Sequence, residues 1–164
     1  MYYHSPVGIL KISIEEGSVN EILFVENEAE IEKEPSKDIS PNDQLLFQEC
    51  RRQLDEYFAG KRQIFDFPIN QKGTPFRMKV WNELMNIPYG RTISYLQLSK
   101  NIANVKSIRA VGSANGQNHL PIVVPCHRVI GSDGKLVGYG GGLWRKQWLL
   151  EHENKYANGV NLLF

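Results

Sequence analysis

Pro121-Ile122-Val123-Val124-Pro125-Cys126-His127-Arg128-Val129 runs an apolar, β-branched segment into a proline and follows it at once with a thiol, an imidazole and a guanidinium. Pro125 has no N–H and confines Val124 to an extended backbone, so the stretch reads as a buried strand, Ile122 to Val124, that ends at a pocket floor with Cys126 at the rim. Cysteine attacks as the thiolate, which adjoining imidazole or cationic groups stabilise. In an extended chain neighbouring side chains point to opposite faces, so His127 reaches Cys126 only through a bend or a bridging water. A lone cysteine is otherwise a small core hydrophobe, but a core cysteine does not call for a His-Arg pair that is costly to bury without partners. Cys50 and Cys126 lack C-x-x-C spacing, and no H-x-x-x-H occurs, which argues against zinc.

Upstream of this stretch the signals are helical. Thr74-Pro75 reads as an N-cap followed by proline at the first helical position, with Phe76, Val80, Trp81 and Leu84 buried and Pro88-Tyr89-Gly90 as the stop. Ser94 to Gln97 matches a capping box and opens a helix to about Ala103. After an Asn104-Val105-Lys106 turn, a helix from about Ser107 to Gly116 carries Arg109 and the small residues Ala110, Gly112, Ser113, Ala114 and Gly116. Two short helices across a tight turn suggest a helix-turn-helix, and a face this flush lets a backbone approach a duplex or another helix closely. Downstream, Val129-Ile130 and Leu136-Val137 around Gly131-Ser132-Asp133-Gly134 read as a hairpin or wing. Gly138 to Gly142 follows no strand-to-helix phosphate-loop fingerprint. Leu143, Trp144, Trp148, Leu149 and Leu150 begin a last helix that ends near Glu151, His152 and Glu153.

The first part of the chain alternates. Leu10, Ile12 and Ile14, a turn at Glu15 to Ser18, and Val19 to Val25 predict a hairpin. Glu26 to Asn42 reads as an acidic surface loop. Leu45, Leu46, Cys50, Leu54, Tyr57 and Phe58 give a helix capped by Asn42 or Asp43, with Cys50 in the core, and Ile64 to Ile69 reads as a third strand. Asn70 to Gly73 has linker composition, dividing the chain into 1–71 and 72–164.

Charge divides near the same place. Residues 1–70 hold 7 Lys+Arg against 14 Asp+Glu, a net −7, whereas 71–164 hold 12 against 4, a net +8. A basic half joined to an acidic one fits a protein in which only one domain meets a polyanion. No apolar run approaches a membrane span, and Met1 to His4 lacks the basic start of a signal peptide, so the expectation is a cytoplasmic protein.

Pro125-Cys126-His127-Arg128-Val129 resembles the active-site motif of the O6-alkylguanine-DNA alkyltransferases. The resemblance extends through Arg109-Ala110-Val111-Gly112, Asn118, Gly141-Gly142-Leu143 and Trp148 to Glu153. It implies an α/β (α+β) protein: a ribonuclease-H-like α/β domain over 1–71 and a winged helix-turn-helix-like domain over 72–164. It further implies irreversible transfer of the alkyl group of O6-alkylguanine, and by extension O4-alkylthymine, from double-stranded DNA to Cys126. The protein is then consumed, with no cofactor and no metal, and acts as a monomer. The site would comprise Cys126, His127, Glu153, Asn118 and Tyr95. The helix of Arg109, Ala110, Gly112, Ser113 and Ala114 would enter the minor groove, Arg109 taking the place of the flipped base and Arg128 also contacting DNA. Pro121, Tyr139, Gly140 and Gly141 would line the pocket. Several relatives carry serine where Gly140 stands, so a backbone N–H must serve the guanine oxygen here. A non-catalytic lesion binder or a helix-turn-helix regulator is the alternative. The first class lacks the cysteine, and the second leaves Cys126 and the glycine run unexplained.

Overall fold

The computed structural model describes residues 1–33, 38–103 and 108–159. Two compact units, Met1–Gln71 and Lys72–Phe164, make up the chain.

The first unit is a three-stranded antiparallel meander, β1 (Tyr2–Ser5), β2 (Gly8–Glu15) and β3 (Ser18–Val25), with helix α1 (Pro41–Phe58) packed on β2. Glu16 and Gly17 both adopt positive φ in the β2–β3 turn, the geometry that suits the twist of a tight hairpin. Leu10, Ile12, Val19 and Ile22 of the sheet are buried, as are Cys50, Leu54 and Tyr57 of α1, and Tyr3 Oη ties β1 to α1 by donating to Asp55 Oδ1 at 2.8 Å. Burial pushes the Cys50 thiol up to about 12, as befits a core cysteine.

Local chemistry corrects several sequence expectations here. Tyr2–Ser5 supplies a strand on the far side of β2 from β3. Ile64 to Ile69 forms no strand. Pro68 has no N–H to give a ladder, and only Ile69 bridges Val19, through Val19 N–H to Pro68 O and Asn70 N–H to Val19 O, both 2.9 Å. Within the expected 26–42 loop, Glu28–Lys33 forms a 3-10 helix, while 34–37 lie outside the described residues. Ser40, rather than Asn42 or Asp43, caps α1 by accepting from Asp43 N–H at 3.1 Å, with Pro41 at the first helical position. Leu45 falls off the buried stripe and is 63% exposed.

The second unit is helical around one short ladder: α2 (Pro75–Leu84), β4 (Ile93–Ser94), α3 (Tyr95–Asn101), α4 (Ile108–Gly116), β5 (Val129–Ile130) and α5 (Leu143–Asn158). Thr74 and Ser94 cap α2 and α3 as their sequences demand. Gln97, however, turns its side chain to Asn101 instead of closing a capping box. Trp81, Leu84, Leu98, Val111 and Ala114 are buried where α2, α3 and α4 pack together, and Trp81 Nε1 donates to Ala114 O at 2.8 Å. The expected 104–106 turn lies outside the described residues. No helix among the described residues is long and apolar enough to cross a membrane.

Candidate functional site

The ladder that positions the site is parallel, Ile93 opposite Val129 and Ser94 opposite Ile130. Tyr95 follows the first strand at once and Cys126-His127-Arg128 immediately precedes the second, so two bonded residue pairs fix both against each other. Val129-Ile130 is therefore not one arm of a hairpin with Leu136-Val137. The glycine turn does close, by Gly131 N–H to Lys135 O at 2.9 Å, but residues 136–137 have no strand partner.

Ile122 to Val124 is not a strand either. Val124 N–H donates to Leu120 O at 2.8 Å, Asn118 Oδ1 accepts from Leu120 N–H at 3.0 Å, and Asn118 Nδ2 donates to Val124 O at 2.8 Å. One asparagine thus staples both ends of a tight turn whose middle holds Ile122 at φ +74°. For a β-branched residue that conformation is strained by roughly 1–3 kcal/mol and persists only where its surroundings over-determine it. Burial of Leu120, Pro121, Ile122, Val123 and Val124 supplies the rest. The chain leaves this turn at Pro125 and enters the single 3-10 turn Cys126–Arg128, so Cys126, His127 and Arg128 fan out from one bend.

All three side chains are buried, and two of them converge on one carboxylate. Glu153, 1% exposed in its side chain, accepts from His127 Nε2 at 2.7 Å and takes a fork from Arg128, Nε to Oε2 and Nη2 to Oε1, each 2.9 Å. Arg128 Nη1 donates to Ile87 O at 2.7 Å, and the guanidinium lies 5.7 Å from the Tyr89 ring centroid. Every nitrogen of the Arg128 fork is thus bonded inside the unit, two to Glu153 and one to Ile87 O. Burial works to raise the Glu153 carboxyl, but His127 and Arg128 outweigh it and hold the acid well below the usual carboxylate range. Burial also lowers the His127 pKa against the pull of Glu153, so the ring rests neutral. With Glu153 ionised, Nε2 must carry the proton. Nδ1, buried and without a hydrogen-bond partner among the described residues, is then the ring's basic atom. Glu153 does not sit at a helix end, since α5 continues to Asn158 and closes on Gly159 in the left-handed region, so no opposing dipole burdens it.

Cys126 is 5% exposed, and burial raises its thiol against the Asn118 side chain, the charge of Lys146 and the backbone N–H groups of Cys126 and His127. The thiol is thus a neutral acid awaiting a base. Tyr95, Tyr139 and Lys146 are each close enough to feel charge on it. Tyr95 Oη donates to Val137 O at 3.0 Å, and burial raises the phenol. Burial carries Tyr139 well above the ordinary tyrosine value. Gly141 O accepts from Arg145 Nη1 at 2.7 Å, and a Cβ at Gly140 would meet only Gly116 O at 3.8 Å, ordinary contact.

On α4 the exposed residues are Ile108, Arg109, Ala110, Ser113 and Gly116, with Gln117 just beyond its end. Ala114 is 2% exposed and packs inward through its carbonyl to Trp81, so it leaves the proposed contact face, while a Cβ on Gly112 would lie 3.9 Å from the Tyr95 ring. Among the described residues no three His, Cys, Asp or Glu side chains group as a metal site.

Sequence reading missed Lys146, which is fully buried. Its signal is its place on the inward stripe of α5, with Leu149, Leu150 and Glu153 at i+3, i+4 and i+7. It also missed Asn115, whose Nδ2 donates to Cys126 O at 3.3 Å.

Residues 1–71 match the family model described as "6-O-methylguanine DNA methyltransferase, ribonuclease-like domain", and 75–155 match "6-O-methylguanine DNA methyltransferase, DNA binding domain". A Methanosarcina acetivorans protein named methylated-DNA--protein-cysteine methyltransferase is 43% identical over 156 residues, 93% of this chain and 98% of that one. The constitutive Bacillus subtilis protein of that name is 42% identical, over 84% of this chain and 83% of its own. The crystal structure of Mycobacterium tuberculosis OGT in complex with DNA superposes with a TM-score of 0.82 at 39% identity, covering 95% of this chain and 92% of that one.

Proposed function

The chain belongs to the 6-O-methylguanine DNA methyltransferase family, and we propose that it repairs DNA by moving the alkyl group of O6-alkylguanine onto its own Cys126, once per molecule. The observation that carries this reading is the His127–Glu153 pair beside a buried neutral thiol. Glu153 pins the tautomer that leaves Nδ1 basic, and Arg128 keeps Glu153 ionised whatever His127 does.

In the reaction His127 Nδ1 takes the thiol proton, relayed by a bridging water, and Glu153 stabilises the imidazolium. The sulfur lone pair forms the S–C bond as the C–O6 bond breaks, and that pair passes into the guanine ring. A proton from the Tyr95 hydroxyl offsets the charge on the departing base, and the His127 proton returns through solvent, so that net the thiol hydrogen ends on guanine. A thioether has no good leaving group toward water, and the protein is spent. Every residue of this relay comes from one unit of one chain, which makes a monomer sufficient.

DNA is the partner. An atom inside a duplex is reached only by extruding its nucleotide. The flush exposed face of α4 fits the minor groove, with Arg109 filling the space left by the flipped base, and Pro121, Tyr139, Gly140 and Gly141 receive that base. The net +8 of residues 71–164 supplies phosphate attraction that the acidic first unit does not.

The test is a titration of the protein with duplex containing excess O6-methylguanine. Restored guanines should rise to the number of protein molecules and stop. Continued turnover would refute self-alkylation, and tight lesion binding with no restored guanine would make the protein a binder alone.

A further inference from the structure

Lys146 enters none of the steps above, yet burying an ammonium costs several kcal/mol unless its donors are used. Its Nζ donates to Val137 O at 3.0 Å and Gly138 O at 3.3 Å, reaches Tyr95 Oη at 3.5 Å, and lies 5.6 Å from the Tyr95 ring centroid. Val137 O is shared, because Tyr95 Oη donates to the same carbonyl at 3.0 Å. In this state the Tyr95 proton is committed to the loop and not to a base.

We propose that Lys146 is a positioning residue that frees and sharpens the Tyr95 hydroxyl for the leaving guanine. When Tyr95 turns its proton toward the base, Lys146 keeps Val137 O paired, so the carbonyl does not compete to hold the hydroxyl back. The adjacent ammonium at the same time favours negative charge on the phenol oxygen, which makes the hydroxyl a stronger donor as electrons arrive on the guanine. Its other bond, to Gly138 O, and the Arg145 bond to Gly141 O hold the glycine run on either side of Tyr139, so that rim is tied down while Tyr95 moves.

This inference rests on the alkyl-transfer reading, and two reagents separate the two. O6-Benzylguanine leaves as a base that needs a proton. Methyl iodide alkylates the same sulfur, but iodide leaves without one. Removing the Lys146 charge raises the Cys126 thiol for both reagents, so the reading is the difference: Lys146→Met should slow benzyl transfer roughly tenfold or more beyond whatever it costs methylation of Cys126 by methyl iodide, the worth of one hydrogen bond to a charged group. In a Tyr95→Phe background the same substitution should cost less than about threefold, because the two residues act as a unit. Peptide mapping assigns each adduct to Cys126 and excludes Cys50.

A pH profile of unmodified protein asks the same question without a folding risk. Burial lowers Lys146 to about 8. The groups around it are Tyr95 on α3, Tyr139 on the loop, Arg145 on its own helix, and Cys126 with His127 on the 3-10 turn. Tyr95 and Tyr139 titrate above their ordinary range, His127 below its own, and Cys126 cancels in the ratio of the two rates. The ratio of benzyl transfer to methyl iodide reaction should therefore fall as pH rises through about 8, and the fall should vanish in Lys146→Met. A ratio flat to pH 9, or equal losses on both reagents, overturns the inference while alkyl transfer stands. Wild-type protein that accepts no alkyl group from guanine overturns both.

Discussion

Replacing Glu153 by glutamine removes one oxygen from the most heavily used carboxylate in the molecule. In the native site both oxygens accept: Oε1 from His127 and Arg128 Nη2, Oε2 from Arg128 Nε. A glutamine offers one acceptor and one NH₂, and whichever way it turns, that NH₂ meets a donor. Arg128, 7% exposed, also loses its only carboxylate partner among the described residues. Breaking a buried pair from one side costs about 3–5 kcal/mol, enough to lower the melting temperature visibly without abolishing the fold. The imidazolium formed when His127 takes the thiol proton loses its counter-charge, and general-base assistance is worth about 10²–10⁴ in rate. Benzyl transfer from O6-benzylguanine, followed across pH on protein shown to be folded by circular dichroism, should fall by that range near pH 7. It should recover partly at high pH, where the thiol ionises unaided. A folded Glu153→Gln variant with the wild-type pH profile would refute the relay.

Three other outcomes follow from the same geometry. Arg109→Ala should slow repair of duplex DNA far more than reaction with free O6-benzylguanine, since only the duplex requires extrusion, and equal losses would remove Arg109 from that role. Asn118→Ala breaks both staples of the 118–124 turn and should cost about 1–3 kcal/mol in denaturant unfolding as well as slowing transfer; an unchanged midpoint would show that Ile122 keeps its backbone without Asn118. Acid should destabilise the protein in two stages. His127 binds its proton more weakly folded than unfolded, so stability falls as pH drops below about 6.5. Glu153 is depressed, so its contribution, full above about pH 4.5, is lost below that. A melting temperature flat from pH 7 to 5 would mean that His127 is not buried neutral.

The chemistry was more legible in the sequence than the backbone that carries it. Ser94 and Thr74-Pro75 announce their helices because a cap is a local bargain between one side chain and one orphan N–H. Ile122-Val123-Val124 misleads because composition favours a strand, whereas an asparagine several residues upstream bonds the turn shut. The resemblance gave Arg128 a DNA contact; the partner its fork meets in the structure is Glu153, 25 positions away, across a contact no local pattern encodes. Lys146 escaped for a related reason. Lysine is ordinarily a surface residue, and only its place in the period of α5 marks it as facing inward.

Everything in this account turns on where the alkyl group ends. Intact mass of the protein before and after one equivalent of O6-methylguanine duplex, followed by peptide mapping, should show one methyl group replacing one hydrogen, located on Cys126 with Cys50 unmodified, and Cys126→Ala should bind the lesion duplex and gain nothing. An unchanged mass with guanine restored, or a methyl group on any other residue, would contradict it.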